Sequence, residues 1–221
     1  MTKCLFCQEI NQERQLFSDI LFLKKKGSSL CQDCLDQFEP IAGSTCQFCC
    51  KKSQSTPCSD CLYWQSQGEE VDHQALYNYS GKMAEYFSLY KFHGDYCLRH
   101  VFAKQVKLAL SAYPDYTIVP IPVSQERYEE RGFNQVFGLL DAAEVTYLPI
   151  LKKYHHQKQS EKSRSERLQT PQFFYIEEKN PLPEKIILVD DIYTTGATIQ
   201  LAKALLMKNG AKTIKTFSLS R

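Results

Sequence analysis

Three observations predict an α/β protein, with a mostly parallel sheet flanked by helices behind a small cysteine-rich module. Apolar runs of strand length alternate with helical patterns from residue 75 to residue 220, and repeated β–α–β order builds a parallel, helix-covered sheet. One of these runs, KIILVDD (185–191), holds four consecutive apolar residues, as expected of a strand buried on both faces. Eight of the ten cysteines stand in four CxxC pairs, all within the first 61 residues. The chain therefore divides into a module over residues 1–65 and a sheet domain over residues 70–221.

The module pairs are Cys4/Cys7, Cys31/Cys34, Cys46/Cys49 and Cys58/Cys61. A CxxC turn offers two thiolates to one ion, and two such turns close a tetrahedral site. Four pairs thus predict two structural zinc ions. Disulfides are the competing use of so many cysteines. The start, MTKCLFCQEI, lacks the apolar segment that directs export, and a cytoplasmic chain keeps its thiols reduced. No apolar run approaches the roughly 20 residues that span a bilayer, so no membrane insertion is expected. The pairing is open at this point. It is either sequential, with Cys4, Cys7, Cys31 and Cys34 on one ion and Cys46, Cys49, Cys58 and Cys61 on the other, or interleaved. Cys50 is a spare beside Cys49 and could substitute for it, and Cys97 reads as a small core residue. Residues 1–70 hold seven Lys/Arg against nine Asp/Glu, and four thiolates outweigh each Zn²⁺. The module is therefore acidic, which suits a structural or docking unit better than a nucleic-acid finger.

In the sheet domain, ALYNYS (75–80) reads as a short strand. Residues 82–92 and 96–112 read as helical, with Leu98, Val101, Phe102 and Val106 along one side. TIVPIP (117–122) is a buried strand. A proline-stiffened loop carrying Arg127 and Arg131 follows. Gly132 then opens a helix over 133–143, with Asn134 and Gln135 in its first turn. VTYLPIL (145–151) reads as a strand. After 185–191 comes a helix from about Thr198 to Lys208, stopped by Asn209–Gly210, and TIKTFSLS (213–220) closes the sheet. Residues 152–167 hold six Lys/Arg, two His and two acids, without an apolar face. Lys152, Lys153, Lys158, Gln159, Lys162, Arg164 and Arg167 are candidate contacts of this basic loop to an anionic ligand or to nucleic-acid phosphate. Tyr154 and Phe173–Phe174–Tyr175 flank it with aromatic faces of the kind on which single strands stack.

IILVDDIYTTGAT (186–198) carries the chemistry. In parallel sheets, ligands bind beyond the carboxyl ends of the strands, where Asp190 and Asp191 stand. The loop 194–198 leads into a helix N-terminus, whose free N–H groups and dipole suit a phosphate. Gly196 lets backbone come close, and Thr194, Thr195 and Thr198 add hydroxyl donors. The acids would repel phosphate, but they suit sugar hydroxyls or a Mg²⁺ held partly through water.

These thirteen residues resemble the ribose-phosphate signature of type I phosphoribosyltransferases. That resemblance implies that Asp190 and Asp191 hold the ribose hydroxyls of phosphoribosyl pyrophosphate (PRPP). Thr194, Thr195, Gly196, Ala197 and Thr198 would hold its 5-phosphate, with Mg²⁺ bridging ribose and pyrophosphate. The loop after the 117–122 strand binds pyrophosphate in such enzymes. This assigns that anion to Arg127, Arg131 and Gly132, with Lys91 beside them. VPIPVSQERYEERGFNQV (119–136) and YKFHGD (90–95) are similar to segments of the ComF family of competence proteins, and CxxC pairs ahead of a transferase-like domain complete that layout. Thr170 stands where ComF-like sequences carry Asn, between matching Arg167 and Phe174. This resemblance implies a late competence role in natural transformation: moving incoming single-stranded DNA into the cytoplasm, at the inner face of the membrane, with the helicase-like ATPase ComFA as partner. The alternative is an active phosphoribosyltransferase that passes ribose phosphate from Mg–PRPP to an acceptor.

Overall fold

The computed structural model describes residues 2–11, 30–154, 172–177 and 181–221. The candidates Lys158, Gln159, Lys162, Arg164 and Arg167, with Thr170, lie outside the described residues.

Strands β1 (Thr2–Lys3) and β2 (Ile10–Asn11) pair as an antiparallel ribbon on either side of the first CxxC turn. Helices α1 (Gln32–Leu35) and α2 (Ser59–Ser66) each start directly after a cysteine, Cys31 and Cys58. The sheet domain then runs β3 (His73–Tyr77), α3 (Gly81–Phe92), a 3₁₀ turn (Tyr96–His100), α4 (Ala103–Ser111), β4 (Thr117–Pro120), α5 (Gln125–Arg131) and α6 (Gln135–Ala142). It continues with β5 (Leu151–Lys153), β6 (Phe174–Ile176), β7 (Lys185–Ile192), α7 (Ala197–Lys208) and β8 (Thr213–Ser220).

The main sheet has the order β3-β8-β7-β4, with every pairing parallel. Strands β5 and β6 form a separate antiparallel ribbon. The apolar run of β7 explains the two-sided architecture. Successive side chains of a strand point to opposite faces, and Ile186 to Val189 are all buried. Ile187 and Val189 enter a core with Phe217, Leu219 and the buried residues of α3, α4 and α6. Ile186 and Leu188 enter a second core with Ile199, Ala202 and Leu206 of α7 and with Leu151 and Phe174 of the ribbon. Full burial of each such side chain stabilises the fold by about 1.5–3 kcal/mol. The cysteines are shared between the same two cores: Cys4 and Cys34 lie in the first, and Cys46, Cys49, Cys58 and Cys61 in the second. The cysteine groups therefore pack onto both faces of the sheet.

Four expectations are corrected. Residues 125–131 form helix α5 rather than a loop, because Ser124 Oγ accepts from the Arg127 N–H at 3.4 Å and caps a run of helix-forming Gln, Glu and Arg. Gly132, at φ 77°, ends that helix instead of opening the next, while Asn134 Oδ1 starts α6 by accepting from the Val136 and Phe137 N–H groups. Residues 145–150 are not a strand: Pro149 has no N–H for a ladder, and pairing begins only at Leu151, within the ribbon. The segment 96–112 is a 3₁₀ turn followed by α4, and within that turn Leu98 is buried while Cys97 is exposed, not a core residue.

Candidate functional site

At the end of β7 the strand's alternation sends the two acids to different faces. Asp191 lies on the side of the first core, where Lys91, at the end of α3, approaches its carboxylate at 2.8 Å. Both side chains are largely buried, at 13% and 7% exposed. Burial opposes the charge of Asp191, but Lys91 and Gln135 outweigh it and hold the carboxyl below its ordinary range. Gln135 in turn accepts from Arg131 Nη1 at 2.9 Å. Lys91 is steadied by the Phe87 ring, 4.6 Å from its ammonium.

Asp190 lies on the other face, and its Oδ1 accepts from the Asp191 N–H at 2.9 Å. Burial and the adjacent Asp191 charge push it up to about 7. Lys153 on β5 faces the same crevice, above the rings of Phe173 and Phe174 at 5.1 and 5.3 Å. Burial brings its ammonium down to about 8, against the pull of Asp190. Half-buried Arg131 is lowered by burial and by the repulsion of Arg127. Its buried Nε meets no acceptor among the described residues, so an anion would complete it. Asp190, Asp191, Lys91, Arg127, Arg131 and Lys153 thus share one field. Lys152 does not: it is exposed and pairs loosely with Glu177 at 3.8 Å, because neighbours on a strand point apart. Gly132 is likewise exposed and serves the turn.

The loop after β7 is tightly built. Gly196 adopts φ 84°, and a Cβ there would lie 2.2 Å from the Tyr193 hydroxyl. Thr195 is buried, and its Oγ1 accepts weakly from the Ala197 N–H at 3.5 Å, whereas Thr194 is exposed. Ala197 and Thr198 open α7, whose N-cap residue, Gly196, has no side chain to cap it; first-turn N–H groups of a helix have no intrahelical acceptor. The acid pair suits a Mg²⁺ held mainly by ligand oxygens and water, since Lys91 already neutralises Asp191.

The cysteines form two groups, Cys4, Cys7, Cys31 and Cys34, and Cys46, Cys49, Cys58 and Cys61, with all sulfurs of a group within 4.8 Å of one another. The sequential pairing is the one adopted. Four sulfurs about 2.3 Å from one ion in a tetrahedron lie about 3.8 Å apart, and Cys7–Cys31, Cys46–Cys61 and Cys49–Cys58 stand at 3.6, 3.7 and 3.6 Å. Backbone N–H groups of Phe6 and Cys31 donate to Cys4 Sγ, and that of Cys58 to Cys46 Sγ. Against the effect of burial, such donors bring both thiols down to about 6. Each group could hold a metal ion. Cys50 stays outside, its Sγ turned to the His73 carbonyl at 3.4 Å.

Two residues with no motif around them touch the loop. Trp64 Nε1 donates to the Thr195 carbonyl at 2.7 Å, and Arg221 Nη1 to the Tyr193 and Thr194 carbonyls. Trp64, the chain's one tryptophan, three residues past Cys61, was the only available hint.

No family model matches the chain. The competence protein ComFC of Streptococcus pneumoniae (strain ATCC BAA-255 / R6) is 47% identical over 219 residues, covering 99% of this chain and 100% of that protein. The chain belongs to the ComFC family of competence proteins. Another ComFC, from Bacillus subtilis (strain 168), is 33% identical over 231 residues, covering 99% of this chain and 94% of that protein. Among solved structures, a hypoxanthine phosphoribosyltransferase from Staphylococcus aureus overlaps 54% of this chain and 61% of its own, at 14% identity and a TM-score of 0.33. That overlap is too loose to carry an argument. Among the described residues of this ComFC-family chain, no helix is long and apolar enough to cross a membrane.

Proposed function

We propose that this chain acts in natural transformation, in the internalisation of single-stranded DNA with the ComFA ATPase, and that it keeps a PRPP-type ribose-phosphate site. Membership in the ComFC family supports the competence role. The observation that carries the site is the convergence of Lys91, Lys153 and Arg131 on buried Asp191 and partly buried Asp190, beside the loop 194–198. In this reading Asp190 and Asp191 face the ribose hydroxyls and the loop takes the 5-phosphate. Arg131, with Arg127 and Lys91, balances the pyrophosphate, and Mg²⁺ supplies its further neutralisation when bound. Zinc is the ion assigned to both cysteine groups, since four thiolates in tetrahedral array suit it. DNA would follow Lys152, the basic run beyond it, and the exposed Tyr154, whose ring lies 4.6 Å from that of Tyr175.

The test is calorimetry of Mg–PRPP against wild type and the Asp190→Asn/Asp191→Asn double variant, joined to a transformation assay of the same variant. We expect binding to wild type alone, and lost DNA internalisation at normal protein level. Absence of binding to either protein removes the ribose-phosphate site.

A second reading, turnover, is favoured by one observation. Lys153 and Asp190 act on each other's charge, and burial shifts both toward neutrality, Asp190 upward and Lys153 downward; opposed shifts of this kind are typical of groups that exchange protons in catalysis. Pyrophosphate release from PRPP in the presence of single-stranded DNA or its nucleosides would establish it.

A further inference from the structure

All five guanidinium N–H groups of Arg221 have acceptors, and they divide between the second cysteine group and the loop. On one side, Nε donates to the Cys49 carbonyl at 3.2 Å, and Nη2 to Cys49 Sγ at 3.4 Å and to Asp60 Oδ2 at 3.0 Å. On the other, Nη1 donates to the Tyr193 carbonyl at 3.2 Å and to the Thr194 carbonyl. The Trp64 indole takes the next carbonyl in the row, that of Thr195. Trp64 follows Cys61 on α2, so one short helix carries both a metal ligand and a loop tether. Neither tether is a surface contact: the Arg221 side chain is 6% exposed and Trp64 is 7% exposed.

Three consecutive carbonyls, 193 to 195, are therefore held from the cysteine side. In a trans peptide the C=O and the following N–H point in opposite directions, and Thr56–Pro57 is the one cis bond among the described residues. Tethering these carbonyls turns the N–H groups of Thr194, Thr195 and Gly196 the other way. Among the described residues, none of the three donates to the backbone, and α7 begins immediately after them. Successive free N–H groups make a concavity that takes an anion.

We propose that the metal-loaded second cysteine group is part of the anion site, with Arg221 and Trp64 as positioning residues that couple metal occupancy to the shape of loop 193–197. This rests on the reading of that loop as phosphate-binding. A metal on Cys46, Cys49, Cys58 and Cys61 keeps Cys49 a thiolate acceptor for Arg221 and anchors α2 under Trp64. Loss of the metal releases both tethers together. Coupling between two sites is reciprocal in binding free energy, so ligand on the loop must also tighten the binding of this metal. The first cysteine group packs in the core on the opposite face of the sheet, and its metal must be indifferent to the ligand.

The experiment uses the full-length, metal-loaded protein with Mg–PRPP and inorganic phosphate as probes. Metal retention against increasing concentrations of a competing chelator is followed at equilibrium by native mass spectrometry, and hydrogen exchange assigns each loss to its cysteine group and reports on the amides 194–197. In wild type the probes should raise the chelator concentration that removes the second ion and leave that for the first unchanged. Trp64→Phe and Arg221→Lys should keep both ions, bind Mg–PRPP about tenfold more weakly, and lose that protection. Leu110→Ala, a core truncation on the opposite face, should lower stability yet keep the protection, which separates positioning from general destabilisation. If Arg221→Lys does not fold, Trp64→Phe, which removes the indole N–H and shrinks the ring but keeps an aromatic in the core, carries the test. Metal affinity of the second group that is unchanged by a saturating probe overturns the proposal, as does wild-type affinity for Mg–PRPP in both variants. If wild type binds neither probe, the phosphate-loop reading falls by itself, and hydrogen exchange still decides the coupling. Exchange that quickens at 194–197 before it quickens in β7 and β8 on loss of the second metal supports it, and exchange that quickens there no sooner than in those strands overturns it.

Discussion

Asp190 and Asp191 are adjacent in sequence, yet β7 sends them to opposite faces, and their protonation diverges accordingly. Lys91 holds Asp191 low, while burial beside Asp191 lifts Asp190 to about 7, against about 4 for an ordinary carboxyl. The folded protein therefore binds the Asp190 proton more tightly than the unfolded chain does. Stability falls as pH rises from about 4 through about 7. Asp190→Asn removes this titration, so urea denaturation should show the variant gaining stability relative to wild type between about pH 5 and about pH 8. A flat or falling difference would contradict the assigned shift. Gly196 is the other sensitive residue. Alanine there meets both the left-handed backbone and the Tyr193 hydroxyl, and Gly196→Ala should cost about 1–3 kcal/mol from backbone strain alone, measured by chemical denaturation. The acids, the glycine and the threonines were legible as a motif, because their residue types are the chemistry. The divergence of the two acids was not, since it depends on which helix end or ribbon lies opposite each.

Elements decide which charges matter. Helix α3 delivers Lys91 to a buried partner, whereas β5 delivers Lys153 inward and Lys152 outward. Lys91→Ala leaves the Asp191 carboxylate buried without its cation and should destabilise the fold by about 3–5 kcal/mol. Lys152→Ala breaks only an exposed pair and should change stability by less than about 1 kcal/mol. Thermal and urea melts of both variants provide the comparison, and equal losses would mean that the crevice is more open to water than its exposures indicate. Sequence periodicity located most elements to within a few residues, including β7, α7 and β8. It failed at α5, where a run of charged helix formers has no apolar stripe to announce it, and at 145–150, where apolar residues suggest a strand that Pro149 interrupts. In both places the signal that decided the outcome was a cap or a missing donor.

At the scale of the whole molecule, the cysteine groups act as parts of two cores on either face of the sheet. Metal binding to such groups is linked to folding. Stripping the ions with a strong chelator should therefore abolish cooperative thermal unfolding and flatten the near-ultraviolet circular dichroism of the whole protein. A melting transition that survives intact would show the groups to be dispensable. Acid should act in the same direction as the chelator, because thiolates must be deprotonated to bind metal.

What the sequence determined by itself is local and chemical: four CxxC turns, a strand buried on both sides, and acids followed by a threonine–glycine loop, each recognisable because a few adjacent residues suffice to make it. What only the tertiary structure decided is which distant groups meet. It paired the CxxC turns in order, set Lys91 against Asp191 and Lys153 beside Asp190, and placed Trp64 and Arg221 against the loop that follows β7. Packing makes such contacts between residues up to 172 positions apart, as between Arg221 and Cys49, and no periodicity or spacing in a single sequence encodes a meeting at that range.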